Sequence, residues 1–273
     1  TRGPEYSRPF NQILNEAKQL VNNGSKEIIL LGQNVNAYNF ENYQLSDLIL
    51  ELEKISDIER IRYTTSHPKD MTDDLINVYK ISKKLMPLVH LPVQSGSDKV
   101  LNLMNRKHTI KTYLEIFNKL KKINQNIEFS SDFIIAYPGE EQTDFEETIK
   151  LIDEIKFINS FSFIFSPRPG TVAYDLPLID KNKSMKRLEI VQERLFSNQI
   201  NMNKNLEGTS IKVLVENRTD DKLKLYGKSE YMTSVIFSGS DNLIGKVVNV
   251  KIKSSNRNTL FGEVIPQSRK KVA

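Results

Sequence analysis

A chain of 273 residues, 38% hydrophobic and 27% charged, is long enough for one large domain, or a medium and a small one, and has the composition of an ordinary globular protein. It contains no cysteine, which excludes a disulfide framework, a thiolate metal site and a cysteine nucleophile within these residues; no apolar run nears the roughly 20 residues that cross a bilayer and the N-terminus has no apolar signal region, so no membrane partner and a cytoplasmic location are expected. The net charge is +5, and all of it lies from Glu207 onward, where 12 Lys/Arg face 7 Asp/Glu: a small basic segment on a neutral body points to an appended nucleic-acid-binding module, with a solubilising surface as the plainer alternative.

Phe10, Ile13, Leu14, Ala17, Leu20 and Val21 follow helical spacing, with Gly24 where a helix would stop. The apolar run Glu27–Leu31 follows, then helical spacing through Leu45, Leu48, Ile49 and Leu52. Further strands are expected over Arg60–Thr64, Leu88–Val93, Ile127–Ile135 and Phe161–Phe165, with helices near Asp73–Ser82, Thr109–Ile123 and Asp144–Ile155 between them. Apolar strands alternating with helices argue for a parallel sheet covered by helices, either a barrel or a doubly wound sheet. Asn182–Leu206 reads as a charged connector helix. Beyond Gly208 the period changes to two, in Ile211–Val215, Lys222–Leu225, Val235–Phe237, Val248–Lys253 and Leu260–Phe261. Five short strands separated by turns suggest a small β-barrel.

In parallel α/β folds ligands bind at the C-terminal ends of the strands. Those ends carry Gly32-Gln33-Asn34, Thr65-Ser66-His67-Pro68, Gln94-Ser95-Gly96-Ser97, Ser131-Asp132 with Ile134, and Ser166-Pro167-Arg168-Pro169-Gly170. Such groups offer hydrogen bonds and close backbone approach to a polar ligand. Plainer roles compete: a tight turn at Gly32, a helix cap at Ser97, and a capping box from Thr143 and Glu146. His67, His90 and His108 lack metal-ligand spacing, so no metal site is expected. The residues alone describe a polar-ligand α/β body with a basic barrel, and leave the reaction open.

As a set, these strand-end segments resemble the methylthiotransferase family of radical S-adenosylmethionine (SAM) enzymes, over essentially the whole chain. Thr1–Pro9 is similar to the stretch that follows the family's three-cysteine motif. Leu31–Tyr38 resembles the branch that modifies isopentenylated adenosine in tRNA. The implied fold is α/β: a partial (β/α) radical-SAM barrel missing its first strand over residues 1–206, with the connector helix at about 182–206, then a small all-β TRAM-type RNA-binding barrel over 207–268. The resemblance implies methylthiolation of N6-isopentenyladenosine beside the anticodon. The alternatives are a ribosomal-protein aspartate methylthiotransferase and a non-catalytic RNA-binding protein. It implies SAM and two 4Fe–4S clusters as cofactors, tRNA and a flavodoxin-type electron donor as partners, and a monomer. The first cluster would cleave SAM reductively to a 5′-deoxyadenosyl radical, and the second would supply sulfur. By motif position, Gly32, Gln33, Asn34, Thr65, Ser66, Gln94, Ser95, Asp132, Ile134 and Arg168 would hold SAM or adjacent substrate. On the barrel, Lys212, Lys222, Lys224, Lys228, Lys251, Lys253 and Arg257 would meet RNA phosphates. The absence of cysteine departs from the family, and a fragment lacking the cluster-binding segments is the expectation.

Overall fold

The computed structural model describes residues 6–266; the resemblance carried by Thr1–Glu5 lies outside them. Helix α1 (Phe10–Asn22) turns Phe10, Ala17 and Val21 into the core. Gly24, at φ +98°, then lets the chain reverse into the sheet. Strand β1 (Glu27–Leu30) leads to a small hairpin, β2 (Asn39–Phe40) and β3 (Tyr43–Gln44), for which no turn signal is evident in the sequence. Helix α2 (Leu45–Glu53) and strand β4 (Arg60–Tyr63) follow, then α3 (Asp73–Ile81), β5 (Leu88–His90), α4 (Asp98–Leu103), α5 (Ile110–Ile123), β6 (Glu128–Ser130), β7 (Asp132–Ile135), α6 (Gln142–Ile155) and β8 (Phe161–Ile164). Thr72, Ser97 and Thr109 cap α3, α4 and α5, their hydroxyls accepting backbone N–H groups.

The pairings β1–β4, β5–β6 and β7–β8 are all parallel. Parallel bridges Ile61↔Leu85 and Gln94↔Phe133 join the pairs into one series in chain order. One face of this series, with Ile28, Ile61, Tyr63, Val89, Phe129, Phe133 and Ile135, is buried in the same core as the helices. The opposite, inner face carries Ile29, Arg60, Arg62, His90, Asp132, Ile134, Phe161 and Phe163, and there Ile29, Phe161 and Phe163 are exposed. Strand alternation puts the two sets on opposite sides.

Two expectations shift in the body. The Ile127–Ile135 run is broken at Ser131, whose hydroxyl accepts the Val93 N–H (2.9 Å) while its own N–H donates to Ser160 Oγ (2.9 Å). The capping box of α6 uses Glu141 and Asp144, not Thr143 and Glu146. Asp144 is held in that position by Ser97 Oγ at 2.7 Å and Lys99 Nζ at 3.1 Å, so the helix begins earlier than its apolar spacing indicates.

Helix α7 (Lys181–Asn205), capped by Asp180, runs from the body to a closed barrel of β9 (Ser210–Arg218), β10 (Leu225–Ser229), β11 (Ser234–Ser238), β12 (Val247–Ser255) and β13 (Thr259–Val264), in the order β10-β11-β13-β12-β9. Val213, Val215, Leu225, Val235, Phe237, Val248, Val250, Ile252 and Leu260 fill it. The strand expected at Lys222–Leu225 is instead a turn. Thr219 Oγ1 and Asp221 Oδ1 accept the N–H groups of Lys224 and Leu223, and Lys222 adopts φ +58°, so pairing begins at Leu225. The barrel docks on the N-terminal end of the sheet. Arg60 donates to the carbonyls of Lys212 (2.9 Å), Lys228 (2.9 Å) and Ser229 (3.2 Å), and Arg62 to those of Glu230 (2.8 Å) and Ser229 (3.1 Å). Glu27, 3.0 Å from Arg62 Nε, supplies the compensating carboxylate for these buried cations.

Candidate functional site at the strand C-termini

At the opposite end of the sheet the backbone departs from ordinary geometry at three residues. Thr65, Gln94 and Ala136, which follow β4, β5 and β7, all have positive φ, at +63°, +72° and +60°. Each such non-glycine residue costs on the order of 1 kcal/mol and persists only where surrounding contacts impose it. Three at one edge are a local signature of a site. The edge is tied together by backbone bonds: Val35 N–H donates to Thr65 O (2.9 Å), Gln94 N–H to Asp132 O (3.0 Å), and Phe165 N–H to Ile135 O (2.8 Å).

Within this edge lie buried polar atoms without partners, Asn34 Oδ1 and Ser66 Oγ. Such atoms lose hydration without compensation, and each needs an explanation. Asn34 is otherwise fixed, its Nδ2 donating to Asp70 Oδ2 at 2.7 Å. Asn36 braces the same loop by donating to His67 O and accepting the His67 N–H. His67 and His108 meet edge to face, 5.4 Å between ring centroids. Burial pushes His108 down to about 4, helped by repulsion from His67; burial also lowers His67. Both rings are neutral at pH 7.

Further along the inner face, His90 Nδ1 lies 2.6 Å from Ser130 Oγ, and His90 Nε2 lies 3.8 Å from Asp132 Oδ2. Burial lowers the His90 pKa despite the carboxylate, so at neutral pH this contact is a polar approach and not an ion pair. Arg106 is likewise lowered by burial, with Asp132 as its opposing charge. Sequence reasoning weighed His90 only as a metal ligand and set it aside, and it missed Arg106. For His90 the available signal was parity with the inner-face positions of its strand; for Arg106, in a loop, there was none.

The residues expected to hold SAM differ in their burial. Asn34, Ser66, Gln94, Asp132 and Ile134 stand at this edge, buried or half-buried, while Gly32, Gln33, Thr65 and Arg168 stand there exposed. Ser95 is a correction. Its hydroxyl accepts the Ser97 N–H and lies 3.4 Å from Thr148 Oγ1, so it packs α6 instead of facing the site. Gly96 serves that packing too, since a Cβ there would sit 2.5 Å from Thr148 Cα. On the barrel, Lys212, Lys222, Lys224 and Lys251 are exposed. Lys253 pairs with Glu263 (3.1 Å), Arg257 lies over the Phe196 ring, and Lys228 donates to Ser234 Oγ (3.0 Å) above the Tyr226 ring. The orphaned acceptors Asn34 Oδ1 and Ser66 Oγ suit the ammonium and hydroxyl donors of SAM, and Asp132 and Arg106 suit its ribose hydroxyls and carboxylate. An iron–sulfur cluster does not fit this chain. It has no cysteine, and among the described residues no group of three His, Asp or Glu side chains is placed to hold a metal ion.

Comparisons with known proteins find two families along the chain. Residues 1–152 match the Radical SAM superfamily and residues 204–265 the TRAM domain. The chain is 66% identical over 277 residues to the tRNA-2-methylthio-N(6)-dimethylallyladenosine synthase of Pelagibacter ubique, covering 100% of this chain and 62% of that protein. It is 47% identical to the synthase of the same name from Wolbachia pipientis subsp. Culex pipiens, over 96% of this chain and 61% of the relative. The chain therefore spans about three fifths of the length of these curated relatives. Among solved structures, coproporphyrinogen III oxidase from Escherichia coli, a radical SAM enzyme, shares the fold with TM-score 0.53 at 13% identity, over 95% of this chain and 65% of that one. No helix among the described residues is long and apolar enough to cross a membrane.

Proposed function

The chain belongs to the radical SAM superfamily and carries a TRAM domain, and from that premise we propose that it provides the SAM-binding and RNA-binding parts of an enzyme that methylthiolates N6-isopentenyladenosine beside the anticodon of tRNA. The observation that carries this reading is the 66% identity to a tRNA-2-methylthio-N(6)-dimethylallyladenosine synthase over 100% of this chain. The division falls between residues 206 and 207. Bound SAM would supply a transferable methyl group and, once cleaved by one electron from a 4Fe–4S cluster, the hydrogen-abstracting radical; the cluster's thiolate ligands and the sulfur donor are not among this chain's residues. The chain's own residues position it: Asn34 and Ser66 accept hydrogen bonds, Arg106 receives a carboxylate, Asp132 accepts hydroxyls, and Ile134 offers an apolar contact. Gln33, Gln94 and Arg168 border the same edge. A cytoplasmic monomer drawing electrons from a flavodoxin-type donor completes the proposal.

The test is deletion of the gene that encodes this chain, followed by mass spectrometry of tRNA nucleosides. The 2-methylthio derivative should disappear and N6-isopentenyladenosine accumulate. Retention of the methylthio group overturns the reading, and its loss from a ribosomal protein instead would assign the other branch.

A further inference from the structure

The barrel has an outward row that its own packing does not require. Tyr226, Ile236 and Phe261 are cross-strand partners on β10, β11 and β13. All three are half-exposed and none belongs to the barrel core. Tyr226 and Phe261 stand two strand spacings, about 10 Å, apart. The contacts that hold the barrel to the body lie elsewhere, at Lys212, Lys228–Tyr231 and Asn256–Arg257. Lys228 Nζ sits 5.3 Å from the Tyr226 ring centroid, fixed by its bond to Ser234 Oγ. On the far flank Lys251 is exposed beside Glu263, whose charge Lys253 answers at 3.1 Å. Aromatic faces with cations at both flanks suit a polyanion carrying flat bases.

We propose that Tyr226 and Phe261 form a stacking platform for unpaired bases of RNA, with Lys228 and Lys251 on the adjoining phosphates. This rests on the RNA-binding reading of the barrel and deepens it: affinity comes from base faces as well as charge, and unpaired RNA is chosen over duplex. Cross-strand packing alone would justify an apolar row; Lys228, held over one of its rings with Glu216 as its charged neighbour, adds a cation at that flank.

The experiment measures binding of the full chain to unmodified tRNA, to an unstructured RNA of about 12 nucleotides, and to that RNA annealed to its complement, across a salt series. Tyr226→Leu and Phe261→Leu should each weaken single-strand binding roughly 5- to 150-fold with an unchanged salt slope, and Tyr226→Phe should restore it. Lys251→Met should instead flatten the log–log slope by about 0.7. Thermal melts of the variants check that the barrel is intact. Leucine variants that bind like the parent, or duplex bound as tightly as single strand, overturn the platform while leaving the tRNA reading standing. A parent chain that binds none of the three RNAs overturns both.

Discussion

The two halves of this molecule handle their interiors in opposite ways. The C-terminal barrel closes on itself and fills with nine buried apolar side chains. The α/β body buries only the helix-covered face of its sheet and leaves the inner face with exposed Ile29, Phe161 and Phe163 beside His90 and Asp132. Every buried side-chain atom without a partner among the described residues lies in the body or at Arg187 of α7, and none in the barrel. An unfilled, polar-lined interior belongs to a part that receives a ligand, and a completed interior to a part that works from its outer surface.

The largest expected effect breaks the body's side of this comparison. The inner face is where SAM is proposed to bind, but the chain has no thiolate, and a SAM-cleaving cluster needs protein ligands. After anaerobic reconstitution with iron, sulfide and reductant, this chain should form no 5′-deoxyadenosine above a protein-free control. Measurable turnover would mean that the cluster can be held without cysteine.

Next, the same substitution should behave differently in the two regions. Phe237 is 1% exposed inside the barrel and Phe163 is 55% exposed on the inner face. Phe237→Ala should cost about 3–5 kcal/mol in urea unfolding, and Phe163→Ala less than about 1 kcal/mol. Equal losses would show that the inner face is packed after all. The junction comes third. Arg60→Met removes donors from three barrel carbonyls, which should cost about 2–4 kcal/mol and split one calorimetric transition into two. A single transition with unchanged Tm would mean that the arginines do not couple the halves.

Much of this division could be read from the residues. The five parallel segments and the change to period two after Gly208 both follow from apolar spacing, because each element buries one face. What could not be read depends on partners distant in sequence. Nothing local at Arg60 or Arg62 marks them as buried, since their carbonyl acceptors in the barrel lie more than 150 residues away. The clean alternation at Lys222–Leu225 was misleading because Thr219 and Asp221 capture its N–H groups. Ser95 fell within a motif yet serves helix packing, and only the side-chain direction separates it from Gln94.

A pH titration sharpens the body's side further. His108 is held at about 4, whereas an unfolded histidine titrates near 6.5. Below pH 6.5 the unfolded chain therefore binds a proton that the folded one refuses, so stability present above that value falls as pH drops toward 4. At pH 5.5 the loss should be about 1.4 kcal/mol, and His108→Phe should remove that part of the pH dependence. An unchanged profile in the variant would place the sensitivity elsewhere.

The last effect differs in sign between the regions. Ser66 in the body is buried with its Oγ unpartnered. Ser229 in the barrel is equally buried, but its Oγ accepts the N–H groups of Tyr231 (3.2 Å) and Thr233 (3.1 Å). Ser229→Ala strands two buried donors and should destabilise by about 1–3 kcal/mol. Ser66→Ala removes a buried hydroxyl that has nothing to bond, and should stabilise the free protein by about 1 kcal/mol. If that hydroxyl is kept for a ligand, the same substitution weakens SAM binding measured by equilibrium dialysis while raising Tm. A Ser66→Ala protein that is less stable than the parent would show that the hydroxyl already has a partner, such as an ordered water, and that the strand edge is closed without SAM.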